Sequence, residues 1–138
     1  MTLLFADAWY FIALLNRRDA GHRGALRLRG AYPRAHVVTH DAVLTEVLTF
    51  FAEAGPTLRH AAAAYVRAQL ADPSVTVFPA DRAIFLAALS LYERRQDKGY
   101  SLVDCISMTI AQTHGITHVL TNDHHFRQEG FQVVSDAP

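Results

Sequence analysis

The feature that most constrains the fold of this 138-residue sequence is its alternation of short apolar runs with longer segments of helical periodicity. Short apolar runs are typical of strands that are buried on both faces, whereas the longer segments repeat apolar residues three and four positions apart. Strands separated by helices imply right-handed crossovers and a mainly parallel sheet. The sequence therefore predicts an α/β fold in which helices flank a central sheet.

The predicted elements follow one another along the whole chain. Strands are predicted at Leu3–Ala6, His36–Thr39, Val75–Phe78, His118–Thr121 and Gln132–Val134. Helices are predicted at Ala8–Leu15, His22–Ala31, Asp41–Glu53, from an N-cap at Thr57 to Ala71, at Asp81–Arg95, and from Ser101 to just before Gly115. No repeat or linker interrupts this order, so we expect residues 1–138 to form a single domain.

Composition narrows the compartment in which such a chain works. The single cysteine, Cys105, cannot form an internal disulfide and fits a reducing environment. The longest apolar run, Leu3–Leu15, is interrupted by Asp7 and is shorter than the roughly 20 residues of a membrane helix. No basic segment precedes an apolar stretch in the manner of a signal peptide. We therefore expect a cytoplasmic protein with no membrane partner.

Three of the thirteen acidic residues lie in apolar surroundings. Asp7 interrupts the first apolar run, Glu46 shares its helix face with Val43 and Val47, and Asp104 lies between Val103 and Cys105. A carboxylate in such a place is costly unless it is paired or bound to a cation. Because these segments contain no basic residues, the pattern favours a bound metal ion.

Asp123 joins this set through the predicted topology. It follows the strand that begins at His118, just as Asp7 follows the first strand, and ligands of open α/β sheets bind beyond the carboxyl ends of the strands. A second, structural interpretation is open for each acid, and it is weakest for Glu46, because nothing nearby would neutralise that carboxylate. Asp7 and Asp123 are suitable helix N-caps, and Asp104 lies in a first helical turn, where the dipole favours a carboxylate.

A set of carboxylates points to a particular chemistry. Mg²⁺ and Mn²⁺ prefer oxygen ligands and keep several waters, so they need no histidine or cysteine. Such a cation makes hydroxide available near neutral pH and screens the charge of an attacked phosphate. The pair His124 and His125 beside Asp123 raises the possibility of structural zinc, but adjacent histidine side chains diverge and no Cys/His quartet exists. We therefore expect Mg²⁺ or Mn²⁺ and phosphodiester cleavage.

Four segments of the chain also match a known pattern in order and spacing. They are Leu4–Asp7 with Phe11–Asn16, then Val43–Glu46, then Asp97–Cys105, and finally Leu120–Phe126 with Gly130 and Phe131. Together they resemble the motifs of PIN-domain nucleases, and specifically of the VapC toxins of toxin–antitoxin pairs. The resemblance spans nearly the whole chain.

The resemblance implies a PIN-like three-layer fold, Mg²⁺- or Mn²⁺-dependent cleavage of RNA, a homodimer, and a small antitoxin partner whose tail enters the active cleft. It implies that Asp7, Glu46, Asp104 and Asp123 form the catalytic and metal-binding site, with Ser101 and Thr121 in support. The family usually has a Thr or Ser after its first acid, whereas this chain has Ala8 and Trp9. That departure favours an alternative, a catalytically weak or inactive PIN-like module that binds RNA or protein.

Basic residues are concentrated near the second predicted helix. The net charge of the chain is +0, but Arg17, Arg18, Arg23 and Arg27 lie close together, with Arg29 and Arg34 nearby. Such a cluster is suited to phosphates, such as those of an RNA backbone, or to an acidic partner. A solvated helix face explains the same pattern equally well.

Overall fold

The protein is described here from a computed structural model, in which residues 2–135 are described. Within them the strands are β1 (Leu3–Ala6), β2 (His36–His40), β3 (Val75–Phe78), β4 (His118–Leu120) and β5 (Gln132–Val134). They form one sheet in the order β3-β2-β1-β4-β5. Every neighbouring pair in it is parallel, which confirms the predicted sheet.

Helices connect these strands. They are α1 (Ala8–Leu15), α2 (His22–Ala31), α3 (Asp41–Phe50), α4 (Pro56–Ala71), α5 (Arg82–Arg94), α6 (Leu102–Thr113) and α7 (His125–Gln128). The predicted order of elements is confirmed, and α7 is an addition that the sequence analysis missed. In residues 2–135 no helix combines the length and the apolar character that crossing a membrane requires.

The predicted N-cap at Thr57 is wrong. Helix α4 begins one residue earlier at Pro56, and Gly55 is its N-cap with a φ of 95°. Proline is favoured in the first helical position because its missing N–H has no intrahelical partner there and its φ is already helical. Glycine adopts the positive φ that precedes it without steric cost. Helix α3 also ends earlier than predicted, at Phe50.

The strand order creates a switch point at the carboxyl edge of the sheet. From β1 the chain adds β2 and then β3 on one side, whereas β4 and β5 lie on the other side. The order therefore reverses between β1 and β4, the kind of position where open α/β sheets bind ligands. Asp7 follows β1 directly, and Thr121 follows β4 directly.

The central strand explains why the sheet is stable as a scaffold. Leu4, Phe5 and Ala6 are consecutive residues that alternate between the two faces of β1, and all three are buried. Both faces of the sheet are therefore covered by helices. Phe11 from α1 and Met108 from α6 are among the buried side chains of this core.

A buried histidine joins two of the layers. His40 ends β2 and is 1% exposed. Its Nδ1 accepts a hydrogen bond from the Ala42 backbone N–H at 3.1 Å, and its Nε2 lies 2.9 Å from the Ser107 hydroxyl of α6. Because Nδ1 accepts, the ring is neutral with its proton on Nε2. Burial lowers the pKa of His40 from 6.5 to about 4.

We expect His40 to make the free energy of unfolding fall in mild acid. In the unfolded chain His40 takes up a proton near pH 6.5, whereas in the folded chain it does so only near its lowered pKa of about 4. Between these two pH values the unfolded chain binds more protons, so the free energy of unfolding decreases as the pH falls. Between pH 7.5 and pH 5 the loss is roughly 2 kcal/mol. Urea unfolding of wild type and His40→Gln measures it, since other groups cancel in the difference. Exposed His60→Gln, in α4, should show no such difference.

Candidate metal centre

Asp7 lies at the switch point, where its carboxylate accepts a hydrogen bond from a hydroxyl that follows the neighbouring strand. It is 9% exposed and occupies the N-cap position of α1 without a side-chain capping hydrogen bond. Its Oδ2 instead accepts a hydrogen bond of 2.8 Å from the hydroxyl of Thr121, which is fully buried. The capping interpretation therefore does not account for this carboxylate.

The same Thr121 hydroxyl also holds the turn that carries Asp123. Its oxygen accepts the backbone N–H of Asp123 at 3.1 Å. The Asp123 Oδ1 in turn accepts the backbone N–H of His125 at 2.9 Å, which closes a turn at the start of α7. One hydroxyl thus fixes the positions of two acidic residues that follow neighbouring strands.

Asp104 is held by the start of α6. The Asp104 N–H donates to the Ser101 hydroxyl at 3.0 Å, and the Ser101 N–H donates to Asp104 Oδ2 at 3.0 Å. This reciprocal capping box fixes the carboxylate in the first helical turn. Asp104 therefore lies in the first turn of α6, as the alternative interpretation predicts, and Ser101 holds its carboxylate there.

Glu46 lies at the rim of the cluster. The prediction that Glu46 shares an apolar, buried helix face is wrong in part. The side chains of Val43 and Val47 are buried in the core, whereas Glu46 of the same helix is exposed. An open groove of about 570 Å³ beside it is lined partly by Ile12 and Phe50. The carboxyl is thus near solvent on one side and near apolar side chains on the other.

The carboxylates act on one another electrostatically. Burial raises the pKa of Asp7 to about 6, with Asp104 and Asp123 adding to the rise against the Thr121 hydrogen bond. Burial, then Asp7 and Asp104, raise the pKa of Glu46 to about 7. Burial also raises the pKa of Asp104, and Asp123 contributes. The structure therefore places the four predicted acids within electrostatic reach of one another.

No lysine or arginine in residues 2–135 forms an ion pair with any of these acids. The group that lies between them is His125, whose Nδ1 is 3.2 Å from Asp123 Oδ1 and 3.6 Å from Asp104 Oδ2. Neither contact has hydrogen-bond geometry, and this nitrogen is a buried polar atom without a hydrogen-bond partner. Donor atoms of Asp104, Asp123 and His125 all lie within 4.8 Å of one another.

His125 is the neighbour that the sequence analysis missed. The prediction that adjacent histidine side chains diverge is wrong, because the ring centroids of His124 and His125 lie 4.9 Å apart. His124 is nevertheless exposed, whereas His125 packs beside the acids. The sequence offers one signal, the tendency of Asp to form a turn with the backbone two residues on, and in the structure this turn brings His125 toward Asp123. The predicted arginines are placed elsewhere: Arg17 and Arg18 lie beyond the far end of α1, about 12 Å from its start.

These residues fit a divalent cation. Neighbouring carboxylates with raised pKa values and no lysine or arginine partner among residues 2–135 favour a bound positive charge, and the Nδ1 of His125, which has no hydrogen-bond partner, faces two of them. Oxygen donors in this number suit Mg²⁺ or Mn²⁺.

Comparison with known proteins places this geometry in context. A family model for the PIN domain matches residues 4–131. VapC20 from Mycobacterium tuberculosis, described as a sarcin–ricin loop cleaving toxin, superposes with a TM-score of 0.82 at 28% identity, over 93% of this chain and 95% of that chain. No curated protein sequence matches the chain.

Two more distant structures share the fold. VapBC2 from Rickettsia felis, solved with a DNA fragment from its promoter, has a TM-score of 0.68 at 10% identity, over 96% of this chain and 97% of that chain. FitAcB from Neisseria gonorrhoeae has a TM-score of 0.63 at 15% identity, over 94% of this chain and 95% of that chain.

The clustered charges generate a stability prediction for Asp7→Asn without metal. The folded-state pKa of Asp7 is raised from 3.8 to about 6, so the folded chain binds this proton more tightly and stability falls as pH rises through that window. Above pH 7 the variant should be more stable than wild type by about 1–3 kcal/mol, and near pH 4 the two should converge.

Urea unfolding with a chelator at both pH values measures this difference. Asp81→Asn is the matched control, because Asp81 caps α5 outside the cluster and its exposed carboxylate contacts the Ile84 N–H. A marked fall in the stability of Asp7→Asn at pH 7.5 would show instead that the carboxylate is a structural cap.

Proposed function

This chain belongs to the PIN domain family, and from that premise we propose that it is a metal-dependent endoribonuclease, the toxin of a VapC-type toxin–antitoxin pair. The observation that carries the proposal is the cluster of Asp7, Glu46, Asp104 and Asp123 at the switch point without a lysine or arginine partner among residues 2–135. The likeness to VapC20, a toxin described as cleaving the sarcin–ricin loop, supports it.

In this proposal Asp7, Asp104 and Asp123 hold Mg²⁺ or Mn²⁺, and Glu46 either completes the ligands or orients the attacking water from the rim. When bound, such a cation would lower the pKa of a water that it coordinates and would stabilise the negative charge that develops on the phosphate. Thr121 keeps Asp7 and Asp123 at a fixed separation, and Ser101 keeps Asp104 in place.

The reaction is a hydrolysis. The water oxygen forms a bond to phosphorus in line with the leaving oxygen, the phosphodiester P–O bond breaks, and the leaving oxygen takes up a proton. The exposed rim at Glu46 is the side from which an RNA strand reaches the cluster. Arg17, Arg18, Arg23 and Arg27 remain a proposed contact for more distant parts of the RNA backbone.

We also propose the partners that the family resemblance implies, a homodimer and a small antitoxin, and action in the cytoplasm by a single domain spanning residues 1–138. These proposals rest on the family and on the similarity to VapC20.

A catalytically inactive binding module is the second candidate, and Ala8 and Trp9 are the observation in its favour. In the structure both side chains contribute to packing. Ala8 is buried, and the Trp9 ring packs so closely on Gly21 that a Cβ there would lie 3.0 Å from it. The hydroxyl beside Asp7 comes from Thr121, in another part of the chain. The departure is therefore compatible with an intact cluster.

We expect purified protein to cleave RNA with Mg²⁺ or Mn²⁺ and to stop when the cation is chelated. A sarcin–ricin loop oligonucleotide and an unstructured RNA are suitable substrates. Asp7→Asn should lower the cleavage rate by more than the roughly 10–100-fold that loss of a supporting group costs. Gel analysis of end-labelled RNA measures the rate.

Asp81→Asn is again the control and should cleave like wild type. Cleavage that persists both in chelator and in Asp7→Asn would exclude the metal centre as the source of activity. RNA binding without cleavage at any cation concentration would favour the binding module.

Thr121→Val should separate positioning from metal binding itself. Valine keeps the volume of this buried side chain but removes the hydroxyl that contacts Asp7 and Asp123. We expect cleavage to fall by about 10–100-fold, with weaker cation binding that a higher Mn²⁺ concentration partly restores. Rates measured across a Mn²⁺ titration test this, and an unchanged rate would mean that the hydroxyl does not position the acids.

A further inference from the structure

His125 is the side chain at the candidate metal centre that the four-acid scheme does not use. Its Nδ1 is buried and has no hydrogen-bond partner. Asp123 Oδ1 and Asp104 Oδ2 lie 3.2 Å and 3.6 Å from it, yet neither is placed to accept a hydrogen bond. A buried polar atom without a partner is unusual and calls for an explanation such as an ion.

The spacing of the three donor atoms matches ligands that share one cation. In an octahedral site with ligands about 2.1 Å from the ion, neighbouring ligand atoms lie about 3 Å apart. The two distances from Nδ1 are close to this separation. Asp104, Asp123 and His125 would together hold such a cation, which would bind the imidazole lone pair and offset the charge of both carboxylates.

The surroundings of His125 hold its ring in this position. The Tyr100 ring packs edge-on against it with centroids 5.5 Å apart. The Tyr100 hydroxyl donates to Glu129 at 3.1 Å, and Arg95 donates two hydrogen bonds to Glu129 at 2.8 Å and 3.0 Å. The Arg95–Glu129 ion pair thus holds the hydroxyl of the tyrosine against which His125 packs.

We propose that His125 is a nitrogen ligand of the metal centre, and that it shifts the preference of this site from Mg²⁺ toward first-row transition cations. Mg²⁺ is served by carboxylates and water, whereas imidazole suits transition metals. The proposal rests on the proposed metal-dependent function and adds the identity of one ligand and the class of cation.

Pulsed EPR of bound Mn²⁺ tests the ligand directly. A directly bound imidazole gives ¹⁴N modulation of the electron spin echo, which changes when the protein is prepared with ¹⁵N-labelled histidine. Wild type and His124→Gln should show this modulation, and His125→Gln should lose it. His124 is the matched control because it is adjacent, of the same type and exposed.

Cation affinity supplies the second measurement. His125→Gln should bind Mn²⁺ at least about tenfold more weakly while its Mg²⁺ affinity changes little, so the ratio of the two affinities moves toward Mg²⁺. Competition titrations followed by the EPR signal of free Mn²⁺ give both affinities. The isotope effect in wild type needs no variant and therefore does not depend on how His125→Gln folds.

The outcomes separate this proposal from the function on which it rests. Mn²⁺ that binds wild type without nitrogen modulation, or modulation that survives in a folded His125→Gln, would overturn the role of His125 and leave the four-acid nuclease standing. A wild-type protein that binds neither Mn²⁺ nor Mg²⁺ would overturn both.

Discussion

The hydrogen bonds of the Thr121 hydroxyl are the contacts on which the candidate centre depends. Asp7 leaves β1 and Asp123 lies beyond β4, so each is placed by a different strand, and their carboxylates repel each other. The buried hydroxyl donates to one and accepts from the backbone of the other. Because both hydrogen bonds come from one atom, they fix the separation of the two residues across the switch point, which the repulsion alone would increase.

Beyond the Thr121 hydrogen bonds, the four acids differ in how firmly their surroundings hold them. The residues that precede the cluster, Leu4–Ala6 and Leu120, belong to the buried centre of the sheet, so the two strands have no freedom to separate. Asp104 is held independently by its capping box. Glu46 alone is exposed at the rim. Asp7, Asp104 and Asp123 are thus held in place by hydrogen bonds, and Glu46 lies at the side that is open to solvent. This arrangement is expected where a substrate approaches preorganised charges.

The sequence predicts the elements of this fold better than it predicts their contacts. Strand and helix order followed from periodicity, which local side-chain pattern determines. Helix α7 was missed because four residues are too few to show a helical period. The neighbours Val43 and Val47 predict an apolar setting for Glu46, but Glu46 lies three positions after the first and one before the second, and its side chain is exposed. The proximity of His125 to Asp104 depends on a turn and on tertiary packing, which no spacing in the sequence reveals.

His40 and His125 each have a buried ring nitrogen, but the two nitrogens differ in their partners. This contrast argues for a functional role of His125. Both His40 and His125 bring Nδ1 into a buried position. His40 directs it at the Ala42 N–H and its other nitrogen at Ser107, so both nitrogens are paired within the protein. His125 directs Nδ1 at two carboxylate oxygens and forms a hydrogen bond with neither. A packing role would have been served by a partner of the His40 kind, whereas a nitrogen that faces only carboxylates is suited to a cation that they share.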